Sequence, residues 1–149
     1  MTKENVINFN SFLSSLKLNK FDRDIRAAII TDSLLAKKIV KEFDETVQGA
    51  KERYLEGLDS EIALLVQYRE RFKTASPEER VVINEECIKN CVNALNAENE
   101  INQFVLNLYK EEVTDNFKKF DRDLFVDQCA DADIEITVDI IELLNELFN

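Results

Sequence analysis

The stretch Thr74-Ala75-Ser76-Pro77-Glu78-Glu79 decides the fold that this sequence predicts. Ser76 suits the N-cap of a helix, Pro77 suits its first position, and Glu79 stands where a capping box needs an acidic side chain. A helix is therefore expected to begin at Pro77, directly after a corner of a few residues. Because helices joined by so short a corner run antiparallel, the stretch predicts the closed end of a helical hairpin.

Apolar residues at helical spacing flank this corner on both sides. The first arm is expected to start at the N-cap Thr31-Asp32-Ser33. The sequence leaves open whether it continues through Gly57 or breaks there. Its apolar seam consists of Leu35, Ile39, Phe43, Val47, Ala50, Tyr54, Leu58, Ile62, Leu65, Tyr68 and Phe72. The second arm is expected from Pro77 to about Glu112, with a weak point in the polar stretch 96–100. Its inward side chains are predicted to be Val81, Ile88, Cys91, Leu95, Ile101, Val105 and Leu108.

Short helices are expected before and after the hairpin. The residues that mark their ends are Thr2 as an N-cap, Asn19 as a left-handed stop, Thr114-Asp115 as the start of a helix that carries Phe117 and Phe120, and Thr137 as the last N-cap. The predicted fold class is all-α, with a long antiparallel helical hairpin over residues 32–112. The short helices of residues 1–31 and 113–149 are expected to pack at its open end, so that residues 1–149 form a single helical domain.

The composition favours helices and excludes several chemistries. Two Gly and one Pro in 149 residues leave few tight turns for a β-sandwich or a doubly wound sheet. The absence of His excludes Ser-His and Cys-His catalytic pairs and the Glu-x-x-His pair of helical di-iron sites. The chain has no glycine-rich loop that could hold a phosphate. We therefore predict that the protein is not an enzyme and binds no cofactor.

The three cysteines, Cys87, Cys91 and Cys129, are expected to be reduced and buried. Cys87 and Cys91 share one helical face, but a zinc site needs four ligands and the chain has no His to complete it. No metal site is predicted. No apolar run approaches the roughly 20 residues of a membrane helix, and the first residues lack the apolar stretch of a signal peptide. The expected location is the cytoplasm, without a membrane partner.

Acidic residues are concentrated in the last part of the chain. The chain has 30 acids and 19 bases, and residues 121–149 hold nine of the acids but a single base. The candidate partner-binding residues are Asp121, Asp123, Asp127, Asp131, Asp133, Glu135 and Asp139. Five of them recur every four residues and would form one ridge if the segment were helical throughout. Two interpretations are open: a surface that mimics a nucleic-acid backbone toward a basic partner, and a solvated helix face.

A hairpin of two helices cannot cover its own apolar face. That face must be buried on the short helices or on another protein chain, including a second copy. The candidate self-association seam consists of Tyr54, Leu58, Ile62 and Leu65. A homo-oligomer and a basic protein are therefore the two predicted kinds of partner. Direct nucleic-acid binding is not expected, because the lysines of the stretch 37–41 are diluted by the acids that follow them.

A six-residue stretch occurs twice in nearly the same form. Lys20-Phe21-Asp22-Arg23-Asp24-Ile25 and Lys119-Phe120-Asp121-Arg122-Asp123-Leu124 match in five of six positions. An internal duplication would predict matching flanks, and the flanks differ. The similarity is interpreted as shared local physics, because both stretches suit the start of a helix. A true repeat or a common docking motif is the alternative.

Three parts of the chain carry a resemblance to a known class of proteins. They are the opening Leu16-Lys17-Leu18-Asn19-Lys20-Phe21, the long helical middle, and the ending Ile134-Glu135-Ile136-Thr137-Val138-Asp139-Ile140-Ile141. In this pattern the chain resembles the small, acidic, helical and uncharacterised proteins that tailed bacteriophages encode. The resemblance implies a phage-encoded protein in the host cytoplasm or associated with the virion. It implies no activity and no functional residue.

The predicted function is that of a non-enzymatic protein–protein interaction or assembly protein. Its main support is the hairpin face that the arm leaves uncovered. The alternative is an acidic inhibitor that mimics nucleic acid and blocks a host defence or transcription protein. That alternative is supported by the acidic residues that follow Asp121.

Overall fold

The computed structural model describes all residues from 1 to 149 and is all-α, as predicted. Its seven α-helices are α1 (Lys3–Ser15), α2 (Arg23–Tyr54), α3 (Asp59–Thr74), α4 (Pro77–Asn90), α5 (Val92–Lys110), α6 (Arg122–Asp131) and α7 (Val138–Leu143). Two 3-10 turns span Leu18–Lys20 and Asn145–Leu147. The β-type contacts are two isolated bridges, Thr2 with Glu112 and Phe120 with Phe148.

Side chains cap three helices at the positions that the sequence predicts. At α4 the Ser76 hydroxyl accepts a hydrogen bond from the Glu79 N–H (3.3 Å), and the Glu79 carboxylate accepts one from the Ser76 N–H (2.8 Å). Pro77 takes the first helical position. The hydroxyls of Thr2 and Thr137 cap α1 and α7. These helix starts are confirmed, because each cap satisfies an N–H that the first helical turn leaves without a partner.

The predicted helix start at Thr31-Asp32-Ser33 is wrong. Helix α2 runs without interruption through these residues. It begins after Asp22, whose carboxylate accepts hydrogen bonds from the N–H groups of Asp24 and Ile25, both at 2.9 Å. The predicted left-handed stop at Asn19 is also wrong, since the chain reaches Asp22 through a 3-10 turn. The short helix that the sequence predicts over about Lys20–Ile30 and the first arm are therefore one continuous helix.

The first arm is broken at Gly57, which settles a question that the sequence leaves open. Helix α2 ends and α3 begins within a few residues of Gly57, which has a φ of 75°. This left-handed conformation is one that glycine adopts without steric cost. No heavy atom lies within 4 Å of the position that a Cβ atom would take at Gly57. The glycine is therefore required by the backbone conformation and not by a lack of space.

We expect Gly57→Ala to lower the free energy of unfolding by about 1–2 kcal/mol, because alanine resists the left-handed conformation. Gly49→Ala is the matched control. Gly49 lies inside α2 and also has no atom within 4 Å of a Cβ position, so the substitution should raise stability by about 1 kcal/mol. Urea denaturation measures both changes. Two changes of the same sign would contradict this account of Gly57.

The second arm is interrupted at Cys91, whereas the sequence predicts its weak point at 96–100. Helix α5 passes through 96–100 without interruption, while Cys91 leaves helical geometry with a φ of −122° and a ψ of 29°. The carboxylate of Glu61 accepts hydrogen bonds from the Ala94 N–H (3.0 Å) and the Asn93 side-chain amide (2.8 Å). These bonds hold the pKa of Glu61 below its usual range. Glu61 thus caps the start of α5.

The chain divides into two compact units. Unit 1 contains Met1–Asp44 and Leu108–Asn149, and unit 2 contains Glu45–Asn107. In unit 2, helices α3 and α4 pack against each other. The cluster of buried side chains around them is small and consists of Leu65, Tyr68, Ile83, Cys91 and Ala94. A single domain with a hairpin over 32–112 stays a prediction.

A cluster of phenylalanines forms the centre of unit 1. Phe125 of α6 is fully buried. Its ring centroid lies 5.7 Å from that of Phe21, 5.2 Å from that of Phe120 and 5.9 Å from that of Phe148. Aromatic pairs at these separations attract each other beyond the effect of burial alone. Residues that are far apart in sequence thereby build one core.

The predicted helix start at Thr114-Asp115 is wrong, because the chain stays irregular up to Asp121. The Asp121 carboxylate accepts a hydrogen bond from the Leu124 N–H (2.8 Å) and so defines the start of α6. Before it, the backbone N–H of Lys118 donates to the Asp32 carboxylate (2.7 Å). A helix that included Lys118 would take this N–H away from Asp32.

The two similar six-residue stretches have the same structural role. Asp22 caps α2 and Asp121 caps α6, each through the N–H three residues further on. The preceding side chains, Phe21 and Phe120, are both buried and both contact the Phe125 ring. The prediction that both stretches start a helix is confirmed.

Candidate functional site

The acidic residues predicted to bind a partner do not lie on one continuous helix. Helix α6 ends at Asp131, and Asp133 then adopts a left-handed φ of 56°. Glu135 follows in the connecting segment, and Asp139 belongs to α7. A single ridge of five carboxylates would require a continuous helix, and this condition is not met. The acids that share one face of α6 are Asp123, Asp127 and Asp131.

All seven candidate acids are exposed, but two of them have partners. Asp121 caps α6, and a carboxylate oxygen of Asp123 lies 3.0 Å from the Arg122 Nε. Asp127 and Asp131 form no ion pair. Helix α6 therefore presents two unpaired carboxylates about 6 Å apart along its axis. This arrangement suits a solvated face and also a basic partner.

The predicted self-association seam is largely covered by the chain's own fold. Leu65 is 3% exposed in the core of unit 2, and Ile62 packs against that core. Tyr54 is half-buried, with its ring centroid 6.5 Å from that of Phe104. Leu58 is half-buried as well. These side chains contribute to the folding of unit 2, and self-association through them stays a prediction.

The exposed side of α4 differs from the one that the apolar spacing predicts. Val81, Val82 and Ile88 are 59%, 53% and 55% exposed. The prediction that Val81 and Ile88 point inward is wrong, because Ile83 and Cys87 take the positions toward the core of unit 2. Three consecutive apolar residues at 81–83 were the available signal, since one helix face cannot bury all of them.

Exposed large apolar side chains are concentrated in unit 2. Seven of the eleven in the protein belong to it: Val66, Phe72, Val81, Val82, Ile88, Val92 and Leu106. We call these seven residues the exposed apolar set. Single exposed apolar residues are normal, whereas exposed apolar residues that adjoin one another indicate an interaction surface. Val81, Val82 and Ile88 are the members of the set that share helix α4.

Asp32 is a buried charged residue of unit 1. The sequence predicts it within an N-cap, where it would be exposed. Its Oδ1 accepts the hydrogen bond from Lys118, and its Oδ2 is buried without a partner. Burial raises the pKa of Asp32 to about 6, against smaller opposing effects of the Lys118 N–H and ammonium group. Its spacing of four from the buried residues Ala28 and Ala36 was the signal for an inward position.

The three cysteines are free; Cys91 and Cys129 are buried, and Cys87 is half-buried. Burial raises the pKa of Cys129 to about 11. Burial, together with the neighbouring Cys87, also raises the pKa of Cys91. Because the thiolate is the reactive form, these shifts make both thiols less reactive. The structure brings no three Cys, Asp or Glu side chains together where a metal ion could bind.

Comparison with protein-family models, with curated proteins and with solved structures finds no match to this chain. None of the helices combines the length and the apolar composition that crossing a bilayer requires. The surfaces described above are therefore the basis on which a function can be argued.

Proposed function

We propose that this chain is a non-enzymatic protein–protein interaction or assembly protein, encoded by a tailed bacteriophage. The observation that carries the proposal is the exposed apolar set of unit 2. As its scaffold we propose the antiparallel hairpin of residues 32–112. The short connection 75–76 between the packed helices α3 and α4 supports this scaffold.

The energetics of unit 2 favour a partner. Each fully buried valine or isoleucine side chain contributes about 1.5–3 kcal/mol relative to an exposed one. Val81, Val82 and Ile88 lose about half of that contribution, because each keeps more than half of its surface in water. A protein partner would recover it by covering α4. Apolar contact of this kind is the usual centre of a protein–protein interface.

Site-specific photo-crosslinking in the cells that produce the protein tests this proposal. A photoreactive residue is placed at Val66, in unit 2, or at Val138, an even more exposed control in unit 1. We expect discrete protein adducts from position 66 and none above background from position 138. Absence of adducts at 66, or equal adducts at both positions, would contradict the proposal.

A second candidate function is that of an acidic inhibitor that occupies the nucleic-acid groove of a host protein. It is supported by the exposed and unpaired carboxylates of Asp127 and Asp131 on α6. Retention of DNA-binding proteins on the immobilised chain tests it. The triple variant Asp123→Asn, Asp127→Asn and Asp131→Asn should lose every salt-sensitive partner. If the variant still retains those partners, the protein is not an inhibitor that acts through these carboxylates.

A further inference from the structure

The outer face of α4 combines exposed apolar residues with an unused pair of opposite charges. Val81, Glu85 and Ile88 follow each other at steps of four and three residues, which places them along one side of α4. All three are exposed, and so is Val92, the first residue of α5.

The charged residues of this face have no partner within the chain. Glu85 and Lys89 are exposed and four residues apart, and neither forms an ion pair. The acids nearby are engaged differently, since Glu86 lies 3.7 Å from Arg71 and Glu79 caps its own helix. A glutamate and a lysine one helical turn apart are therefore available to a second molecule.

We infer that the outer face of α4 is a self-association surface on which two copies of this chain pair antiparallel about a two-fold axis at position 87. In that register Glu85 of each copy lies opposite Lys89 of the other, so that two ion pairs form. Ile88 of each copy lies next to Ile88 of the other, close to the two-fold axis. A two-fold interface repeats every contact, which makes this charge pattern complementary to itself.

The same charge pattern decides between the two orientations. In a parallel pair, Glu85 would face Glu85 and Lys89 would face Lys89, and like charges at an interface oppose association. Only the antiparallel pair brings opposite charges together. The charges of this face are thus complementary to those of the same face on a second copy. The inference rests on the proposed function, since it names one partner for the exposed apolar set.

Charge reversal tests the antiparallel register. The mass in solution is followed by size exclusion with light scattering as the concentration rises, and the wild type should shift from 17.3 kDa toward twice that mass. Glu85→Lys and Lys89→Glu should each weaken self-association by about tenfold or more. The double variant Glu85→Lys, Lys89→Glu should restore it, and the two single variants mixed together should prefer each other.

A matched pair of apolar substitutions tests the surface itself. Ile88→Asp should abolish the dimer, and Ile30→Asp should leave it unchanged, because Ile30 is a similarly exposed isoleucine on α2 in unit 1. Circular dichroism should show equal folding of both variants. A wild type that stays monomeric, a dimer that survives Ile88→Asp, or a double reversal without rescue would each overturn the inference. A monomer that still forms adducts with another protein from position 66 would leave the proposed function standing.

Discussion

Replacing Phe125 with alanine is expected to lower the free energy of unfolding by about 4 kcal/mol, as for a fully buried phenylalanine in other cores. The side chain has no exposed surface and contacts the rings of Phe21, Phe120 and Phe148. Its removal leaves a cavity and breaks three aromatic contacts at once. Because a domain is stable by only about 5–15 kcal/mol, this single change removes a large part of the stability.

Leu124→Ala is the matched control for Phe125→Ala. Leu124 is the preceding residue of α6 and is 42% exposed, so its truncation should cost about 1 kcal/mol or less. Chemical denaturation followed by circular dichroism measures both variants. A loss at Phe125 no larger than the loss at Leu124 would show that the phenylalanine cluster is not the centre of unit 1.

Replacing Asp32 with asparagine is expected to remove a pH dependence of stability of about 2–3 kcal/mol. Burial raises the pKa of this carboxyl group from 3.8 to about 6, and each pKa unit corresponds to about 1.4 kcal/mol. Between these two pH values the folded state therefore holds a proton on Asp32 that the unfolded state has released. The stabilisation is complete below pH 3.8 and is lost as the pH rises through about 6.

The free energy of unfolding of each variant is compared with that of the wild type at the same pH. The contributions of the other titrating groups then cancel. As the pH falls from neutral to about 4, the wild type should gain about 2–3 kcal/mol relative to Asp32→Asn. Asp44→Asn, an exposed aspartate on the same helix, should stay parallel to the wild type throughout. A constant difference between wild type and Asp32→Asn at all pH values would mean that Asp32 titrates alike in both states.

Helix starts could be predicted where the signal is local. Ser76, Pro77 and Glu79 form their capping box within four residues, and Thr2 and Thr137 act in the same way. For these features the sequence contains both partners of each interaction. At Gly57 the sequence leaves the break open, because glycine tolerates both the helical and the left-handed conformation.

The predictions that are wrong concern residues whose hydrogen-bond partners are distant in sequence. The interruption at Cys91 depends on Glu61, about 30 residues earlier, whose carboxylate takes over the capping of α5. Asp32 resembles an N-cap in sequence, but its partner is the backbone of Lys118. Neither pairing follows from periodicity, because only the folded chain brings the two groups together.

The surface residues of the candidate site could likewise be predicted only in part. The exposed acids of residues 121–139 could be found from composition, but the end of α6 at Asp131 divides them. The exposed side of α4 depends on whether Val81 or Ile83 faces the core. Both residues are β-branched and apolar, so packing against α3 decides between them and hydrophobicity does not.

The division of unit 1 between both ends of the chain has a consequence for the order of events at the ribosome. The buried residues Val6, Phe9 and Leu13 share a core with Phe125 and Phe148, so they cannot complete it until the last helices have been made. About 60 residues of unit 2 are synthesised in between. Phe148 follows Leu13 by 135 residues. At roughly 5–20 residues per second the N-terminal segment therefore waits on the order of 7–27 s with its apolar side chains uncovered. During that interval the nascent chain is a substrate for chaperones that bind exposed apolar segments.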